Sequence, residues 1–526
     1  MNRQDMLERI HDRTETGDPW DLIVVGGGAT GVGIALDAAS RGHDVVLFEQ
    51  SDLGKGTSSR STKLVHGGVR YLQQGNVPLV MEALKERGIL RRNAPHLVTD
   101  LPFIVPNYRW WEAPFYGVGM RVYDVLAGKY GFGKSRNLSV EETVERIPTI
   151  ETEGLRGGVV YHDGQFDDAR LLIHLAMTAA EQGAVLLSYA PVTAITKDEA
   201  GFAAGVVVRD LESGRDLAIR GRAVVNATGA FADGVRTMDE PGAAPIIRPS
   251  QGVHIVLERA FLPGGSAIMV PHTDDGRVLF AIPWRDRVVV GTTDTPVEEV
   301  SLEPRPLESE IDFLLSHAAR YLTRDPALAD VLSVFVGIRP LVAEVEADDT
   351  SEISREHALR VSASGMLTVA GGKWTTYRKM AEDAVDAAET LGDLDPGRCV
   401  TAELNIHGYH QEAERFGTLA VYGSDALRIL DLGRDDPELT ARVHERLELT
   451  AAEVVWACRE EMARTVDDVL ARRSRSLIFD ARAAMDAAPA VATLMARELG
   501  RDDAWISAQV ADFTETAEGY LPTSPH

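Results

Sequence analysis

Short apolar runs and amphipathic stretches divide this chain into elements. Leu22–Val25 and Val45–Phe48 are unbroken apolar runs, the pattern of parallel strands covered on both faces. Between them Gly31 to Arg41 is small and apolar, as suits a helix lying on a sheet, so the three segments predict a strand–helix–strand unit. Upstream, Met6, Leu7 and Ile10 share one side of a polar stretch and predict a short amphipathic helix closed by Gly17-Asp18-Pro19. Leu79–Ala94 and Asp168–Glu181 have helical spacing. The middle of the chain alternates instead: Gly157–Tyr161, Gly205–Asp210, Leu217–Arg220, Gly252–Leu257, Val278–Ile282 and Val288–Thr292 predict strands of a second sheet. Ala223–Asn226, running into Ala227-Thr228-Gly229, predicts a return to the first sheet. Leu367–Ala370 then leads through Gly371-Gly372 into a helix reaching about Leu391. Beyond Asp393-Leu394-Asp395-Pro396-Gly397 the composition shifts. Residues 412–517 are rich in Ala, Glu and Arg, with helical spacing and hardly any strand signal. The expected architecture is α/β. It has a dinucleotide-binding Rossmann-like part interleaved with a sheet-rich substrate part over 21–392, an N-terminal helix in 1–20, and an all-helical domain over 398–526.

The first strand runs into Gly26-Gly27-Gly28-Ala29-Thr30-Gly31, a G-x-G-x-x-G turn. Gly26 permits the tight turn, Gly28 lets backbone approach a phosphate, and Gly31 lets the following helix pack closely. Unpaired N–H groups at that helix's N-terminus suit a pyrophosphate, which places Thr30 beside it. Glu49 ends the second strand, 23 positions after Gly26, where a carboxylate can accept hydrogen bonds from ribose hydroxyls. About thirty residues after the glycine turn begins comes the polar segment Gly56-Thr57-Ser58-Ser59-Arg60-Ser61-Thr62-Lys63, continuing to His66-Gly67-Gly68-Val69-Arg70-Tyr71. A plain nicotinamide-binding domain has no use for it. A flavin enzyme with its active site beside the dinucleotide fold does.

Composition narrows the class further. The 526 residues carry a formal net charge of −26, which argues against nucleic acid and against purely electrostatic adhesion to anionic lipid. The two cysteines, Cys399 and Cys458, have neither metal-ligand nor disulfide spacing, so no metal is expected and a reducing cytoplasm is. No apolar run is long enough for a membrane span, and the N-terminal segment lacks the apolar core of a signal peptide. Residues 101–134 are unusually aromatic, with Phe103, Tyr108, Trp110, Trp111, Phe115, Tyr116, Tyr123, Tyr130 and Phe132. Two readings stand side by side for this tract: packing in the core, or an amphipathic surface that meets lipid or a quinone.

Several of these segments resemble the FAD-dependent glycerol-3-phosphate dehydrogenases, the respiratory enzymes of bacteria and mitochondria. The resemblance rests on Ile23–Gly31 through Arg41-Gly42, on Gly371-Gly372-Lys373-Trp374-Thr375-Thr376-Tyr377-Arg378, and on His66–Leu72, Gly291-Thr292-Thr293-Asp294-Thr295 and Gly337-Ile338-Arg339-Pro340-Leu341. Glu461–Leu470 resembles the family's C-terminal helical domain. The chain as read carries neither the calcium-binding extension of the mitochondrial enzymes nor the cysteine-rich iron–sulfur region of some anaerobic relatives. The resemblance implies oxidation of sn-glycerol 3-phosphate to dihydroxyacetone phosphate, with electrons passing through non-covalent FAD to a membrane quinone. It also implies a cytoplasmic protein, peripheral on the inner face of the membrane, with a homodimer compatible.

Chemistry assigns expected roles to residues in these motifs. A phosphate dianion calls for fixed cations, and Arg70, Arg339 and Lys373, with Tyr71 beside them, are the candidates. Arginine is a poor base, so His66 is the better proton acceptor, and packing against the flavin ring is its competing role. Arg339 could instead polarise the alcohol oxygen. The Gly371-Gly372 turn would aim N–H groups at the reduced flavin, with Lys373, Thr375 and Thr376 adding donors. Thr57, Ser58 and Ser59 are expected on the ribityl and phosphate groups, and Thr228 and Gly229 on the cofactor where the chain re-enters the first sheet. Two alternatives remain: an oxidase that passes electrons to oxygen, and a flavin-bound scaffold or sensor without turnover.

Overall fold

The strand Trp20–Val25 is apolar from Leu22 onwards because both faces of that run are covered. In the computed structural model, which describes residues 1–522 apart from 70, 71, 73, 74, 272, 274–276 and 343–356, alternate residues feed two cores. Leu22 and Val24 join Val45 and Leu47 beneath the helices Ala29–Ser40, Asp168–Glu181 and Tyr377–Leu391. Ile23 and Val25 join Val46 and Phe48 on the other side. There they meet Met6 and Ile10 of the N-terminal helix and Val206 and Val208 of a small antiparallel layer. Asn2 caps the start of that first helix and Gly17, at φ 76°, ends it.

Among the described residues this first sheet has eight strands. Leu367–Gly371, Asp216–Asn226, Trp20–Val25, Val45–Phe48 and Val185–Leu187 run parallel, and His357–Val361 lies antiparallel at the edge. One expectation needs correcting here. Leu217–Arg220 and Ala223–Asn226 are a single strand, Asp216–Asn226, and neither it nor the 205–210 segment belongs to the second sheet. Its first half pairs antiparallel with Ala203–Arg209 and its second half parallel with Trp20–Val25. Gly221 marks the change of partner: a Cβ there would lie 2.6 Å from Ile23 Cδ1.

The second sheet has ten strands among the described residues, built around Ile247–Glu258, Ser333–Val342 and Arg287–Gly291. One face, with Val253, Ile255, Leu257, Val334 and Val336, packs on the helix Glu308–Ala319 through Ile311 and Leu314. The opposite face is covered in two separate patches. Val256, Val289 and Phe335 meet the C-terminal helices. Phe103, Val105 and Tyr161 meet the helices Val77–Asn93 and Glu112–Ala127. On this same face, Ser250, Gly252 and His254 precede Val256 along one strand, and Gly337 and Arg339 follow Phe335 on its neighbour. Period-2 alternation thus turns a strip of polar and small positions towards the first sheet's domain.

The C-terminal region is helical, as its composition predicts, and it joins the rest through a buried ionic seam. Asp52 bonds to Arg472 and Arg473, Lys55 to Asp467 at 3.0 Å, Arg475 to Asp168 at 2.9 Å, and Arg170 to Glu461. Arg472 and Arg473 end a π-helical stretch, Asp468–Arg473, and share the Asp52 carboxylate. Among the described residues, no helix is long and apolar enough to cross a membrane.

Candidate functional site

The glycine turn is built from close backbone approaches. Gly26 sits at φ 109° and its N–H donates to the Phe48 carbonyl at 2.8 Å. A Cβ on Gly31 would stand 1.9 Å from the Gly26 carbonyl oxygen, so helix and turn can meet only without one. The helix starts at Ala29, two residues before its expected beginning, with Gly28 as its N-cap. Ser58 supplies the cap that Gly28 cannot, its hydroxyl accepting the Ala29 N–H at 2.9 Å. Glu49 braces the turn from behind: its carboxylate accepts the Gly27 N–H at 2.6 Å and the Ser51 N–H at 2.9 Å. Burial raises its pKa against the pull of those two donors.

These residues line a groove of about 600 Å³. Gly26, Gly28, Thr30, Glu49, Thr57, Ser58, Thr228, Gly229, Gly372 and Lys373 all contribute to its wall, although they come from four distant stretches of chain. Gly371 and Gly372, both at φ 75°, fold the chain back so that Lys373 and Trp374 join the lining. Trp374 Nε1 donates to the Ser58 carbonyl at 2.8 Å and ties the two polar segments together. Thr57 is tied too, its hydroxyl donating to the Ile338 carbonyl at 2.6 Å, one residue from Arg339.

Not every expected residue reaches the groove. Gly31 and Ser59 lie behind its wall, buried. Thr375 and Thr376 are also buried, and their hydroxyls serve the chain itself. Thr375 Oγ1 accepts the His66 N–H at 3.3 Å and Thr376 Oγ1 donates to the Lys373 carbonyl at 3.3 Å. Both brace the site from outside the groove lining. His66 and Arg339 lie outside that lining as well. Arg70 and Tyr71 fall outside the described residues.

The segment from Thr57 to Gly67 threads both halves of the molecule. Thr57 and Ser58 line the groove, and Thr62 Oγ1 meets His254 Nε2 at 2.9 Å on the polar strip. Leu64-Val65 pairs with the edge of the second sheet, and His66 then meets Thr375. Arg339 is held over the same strip. It donates to Asp294 Oδ1 at 3.2 Å, the Thr292 hydroxyl at 3.1 Å, and the carbonyls of Thr293 at 2.9 Å and Gln251 at 3.3 Å. A Cβ on Gly252 would fall 2.4 Å from Arg339 Nη2, so that glycine makes room for the guanidinium.

Several residues at the site carry no role that their sequence context announces. Asp294, Thr292 and Thr293 belong to a noted motif but had no role; they orient Arg339. His254, stacked on Phe335 with ring centroids 4.6 Å apart, has its pKa pushed well down by burial and then by Lys63 and Arg339. Lys63, fully buried against Asp168 at 2.7 Å, is pulled down to about 8 by burial. Neither is marked in the sequence, because a histidine on an apolar strand and a lysine in a polar run both have ordinary readings.

Comparison with known proteins completes the site. Residues 21–378 match the model for FAD dependent oxidoreductases, and residues 367–506 that for the C-terminal domain of alpha-glycerophosphate oxidase. The mitochondrial glycerol-3-phosphate dehydrogenase of Mus musculus is 40% identical over 95% of this chain and 73% of its own length. The Arabidopsis thaliana enzyme SDP6 is 41% identical over 91% and 83%. The solved glycerol-3-phosphate dehydrogenase of Bacillus halodurans, complexed with FAD, superposes with a TM-score of 0.78 at 29% identity, covering 97% of each chain. An L-alpha-glycerophosphate oxidase from Mycoplasma pneumoniae, at 17% identity and a TM-score of 0.56, shares the fold.

Proposed function

The chain belongs to the FAD-dependent glycerol-3-phosphate dehydrogenase family, and from that premise we propose that it oxidises sn-glycerol 3-phosphate to dihydroxyacetone phosphate and passes the electrons to a membrane quinone. The groove suits FAD in its donor set: a glycine turn at a helix N-terminus for the pyrophosphate and Glu49 for the ribose. Gly372, Lys373 and Thr57 line it as well and suit the flavin end. FAD, when bound, supplies the hydride acceptor at N5. Lys373 and Arg339 hold the substrate phosphate and hydroxyl end, with Arg70 and Tyr71 assigned to the same task. Asp294 fixes the Arg339 fork, so the guanidinium is oriented before substrate arrives. His66 takes the hydroxyl proton.

One observation carries this reading. The Gly371-Gly372-Lys373 turn returns from far along the chain to line the same groove as the pyrophosphate turn, which supports Lys373 as the cation beside the cofactor's reactive end. Anaerobic addition of sn-glycerol 3-phosphate should bleach the flavin of the purified protein, and a quinone analogue should restore its colour. A flavin that stays oxidised would refute the assignment and leave the scaffold reading. FAD is held without a covalent bond. Acid precipitation should release all of it to the supernatant, and flavin in the pellet would point to His66.

A second reading, oxidation by molecular oxygen, draws on the match of residues 367–506 to an oxidase C-terminal domain. Stoichiometric peroxide in air, with slow quinone reduction, would favour it. Delivery to a quinone requires contact with lipid. The helix Glu112–Ala127 buries Tyr116, Met120 and Tyr123 while exposing Phe115, Val118, Val122 and Val125; Trp110 beside it is 78% exposed. This face, with Arg109, Arg121 and Lys129 exposed on the same stretch of chain, is the membrane-contact surface in our reading, on the inner side of the cytoplasmic membrane.

A further inference from the structure

The aromatic helix has a second, inward role. Gly67, next to His66, donates its N–H to Tyr123 Oη at 2.9 Å. Tyr123 Oη donates in turn to Asp163 Oδ2 at 2.9 Å. Asp163 Oδ1 accepts from Arg87 Nη1 at 2.6 Å and from the Gly164 N–H at 3.1 Å, and Arg87 Nη2 donates to the Tyr130 carbonyl at 3.2 Å. Tyr123, Asp163 and Arg87 are all at least 97% buried. Burial, with Asp163 alongside, keeps the phenol protonated, so it donates to the carboxylate and accepts from Gly67.

The contact leaves no slack. A Cβ on Gly67 would lie 2.3 Å from Tyr123 Oη and 2.4 Å from Leu84 Cδ2, so only glycine lets the backbone come this close. On the other side the backbone of His66 is met twice by Thr375, whose hydroxyl lies 3.3 Å from the His66 nitrogen and 3.4 Å from its carbonyl oxygen. Thr375 belongs to the turn whose Gly372 and Lys373 line the groove. The peptide linking His66 to Gly67 is therefore gripped between the cofactor turn and a buried ionic chain.

We propose that Tyr123 is a positioning residue for the reaction, fixing the His66–Gly67 backbone so that the imidazole stands where the substrate hydroxyl will be. The inference rests on the reading above, in which His66 accepts that proton. A ring in the same place would fill the cluster formed with Leu84, Met120 and Tyr161 equally well. Only the hydroxyl reaches both Gly67 and Asp163, so packing and positioning can be tested apart.

The experiment uses the FAD-loaded enzyme and follows flavin bleaching by sn-glycerol 3-phosphate under anaerobic stopped flow. Tyr123→Phe should slow the limiting rate on the order of 10-fold, since small misplacements of a reacting group are costly. The half-saturating concentration should move much less, and FAD content should be unchanged. The pH profile of the limiting rate should shift with the displaced histidine. Asp163→Asn should act in the same direction, and the double variant should fall no further than the slower single one, as expected of members of one chain. A Tyr123→Phe enzyme with wild-type rate and pH profile overturns the proposal, as does strict additivity with Asp163→Asn. If Tyr123→Phe fails to fold or to hold FAD, Asp163→Asn carries the test, and a normal rate there overturns it equally. Wild-type flavin that glycerol 3-phosphate cannot bleach overturns the substrate reading and this inference with it. Bleaching of wild type and variant at one rate overturns this inference alone.

Discussion

Arg339 shows how much of a single residue's role depends on its neighbours. Its charge is partly met by Asp294, itself hydrogen-bonded to Ser250, so the side chain acts as a fixed fork. Arg339→Ala should keep FAD and lose on the order of 10²–10³ in kcat/KM, because it removes the proposed substrate contact and strands a largely buried carboxylate. Both kcat and KM should move if Arg339 also polarises the alcohol, and kinetics near wild type would show that the phosphate is held elsewhere. A second residue-scale expectation concerns stability. His96 and His174 meet at 3.0 Å in the core beside His407. Burial, then the charge of His407, pulls His96 down to about 3, and burial, then His96, holds His174 well below its usual range. Against the cost of burial, hydrogen bonds to Asp425 and Glu181 push His407 up to about 9. His407 therefore contributes stability that is complete below ~6.5 and lost as pH rises through about 9. His96 and His174 contribute above ~6.5 and lose it as pH falls. Urea unfolding followed from pH 5 to 9 should peak near ~6.5, and His407→Gln should flatten the alkaline fall by about 1–2 kcal/mol. An unchanged alkaline limb would remove His407 from the account.

At the scale of elements, the helix Glu112–Ala127 carries two apolar faces with different fates. Tyr116, Met120 and Tyr123 lie four and three residues apart and face the second sheet; Phe115, Val118, Val122 and Val125 face outwards. The aromatic tract thus divides. Phe103, Tyr116 and Tyr123 are core, while Trp110, Trp111 and Phe115 are on the surface. Replacing those last three by serine should cost little stability, since such exposed positions usually shift it by less than ~0.5 kcal/mol each. The variant should lose liposome binding and quinone reduction while its flavin is still bleached by substrate. Retained liposome binding would send the proposed lipid contact to another surface.

Across the whole molecule, the C-terminal helices are fastened to the cofactor domain by charge as much as by apolar contact. Asp52 lies two residues before Gly54, which lines the groove, and it carries both Arg472 and Arg473. Asp52→Ala would leave two buried guanidinium groups short of their counter-charge, at a cost of about 3–5 kcal/mol. It should also weaken FAD retention, because the loop beside it loses its anchor. Thermal unfolding with and without added FAD measures both effects, and an unshifted midpoint would mean the seam is dispensable. We propose a division of the chain near Asp393–Gly397, with the helical part unable to leave without unfolding the rest. A chain ending at Pro396 should therefore fail to unfold cooperatively.

The sequence by itself determined the cofactor half of this protein. The signals there are local: an apolar strand, glycines at fixed spacing and a carboxylate at the next strand's end are all read within about thirty residues. Helices with strong periodicity, such as Tyr377–Leu391, are legible for the same reason. Tertiary structure decided what depended on pairing. The single strand Asp216–Asn226 reads as two because it changes partners at Gly221, and nothing in its own residues says which sheet each half will join. The fixing of Arg339 by Asp294 required two strands to lie side by side, and the hold on His66–Gly67 required Tyr123, Asp163 and Thr375 to converge from three distant segments. Catalytic residue types can be chosen from chemistry, but the groups that hold them still are contacts between elements, and these exist only once the chain has packed.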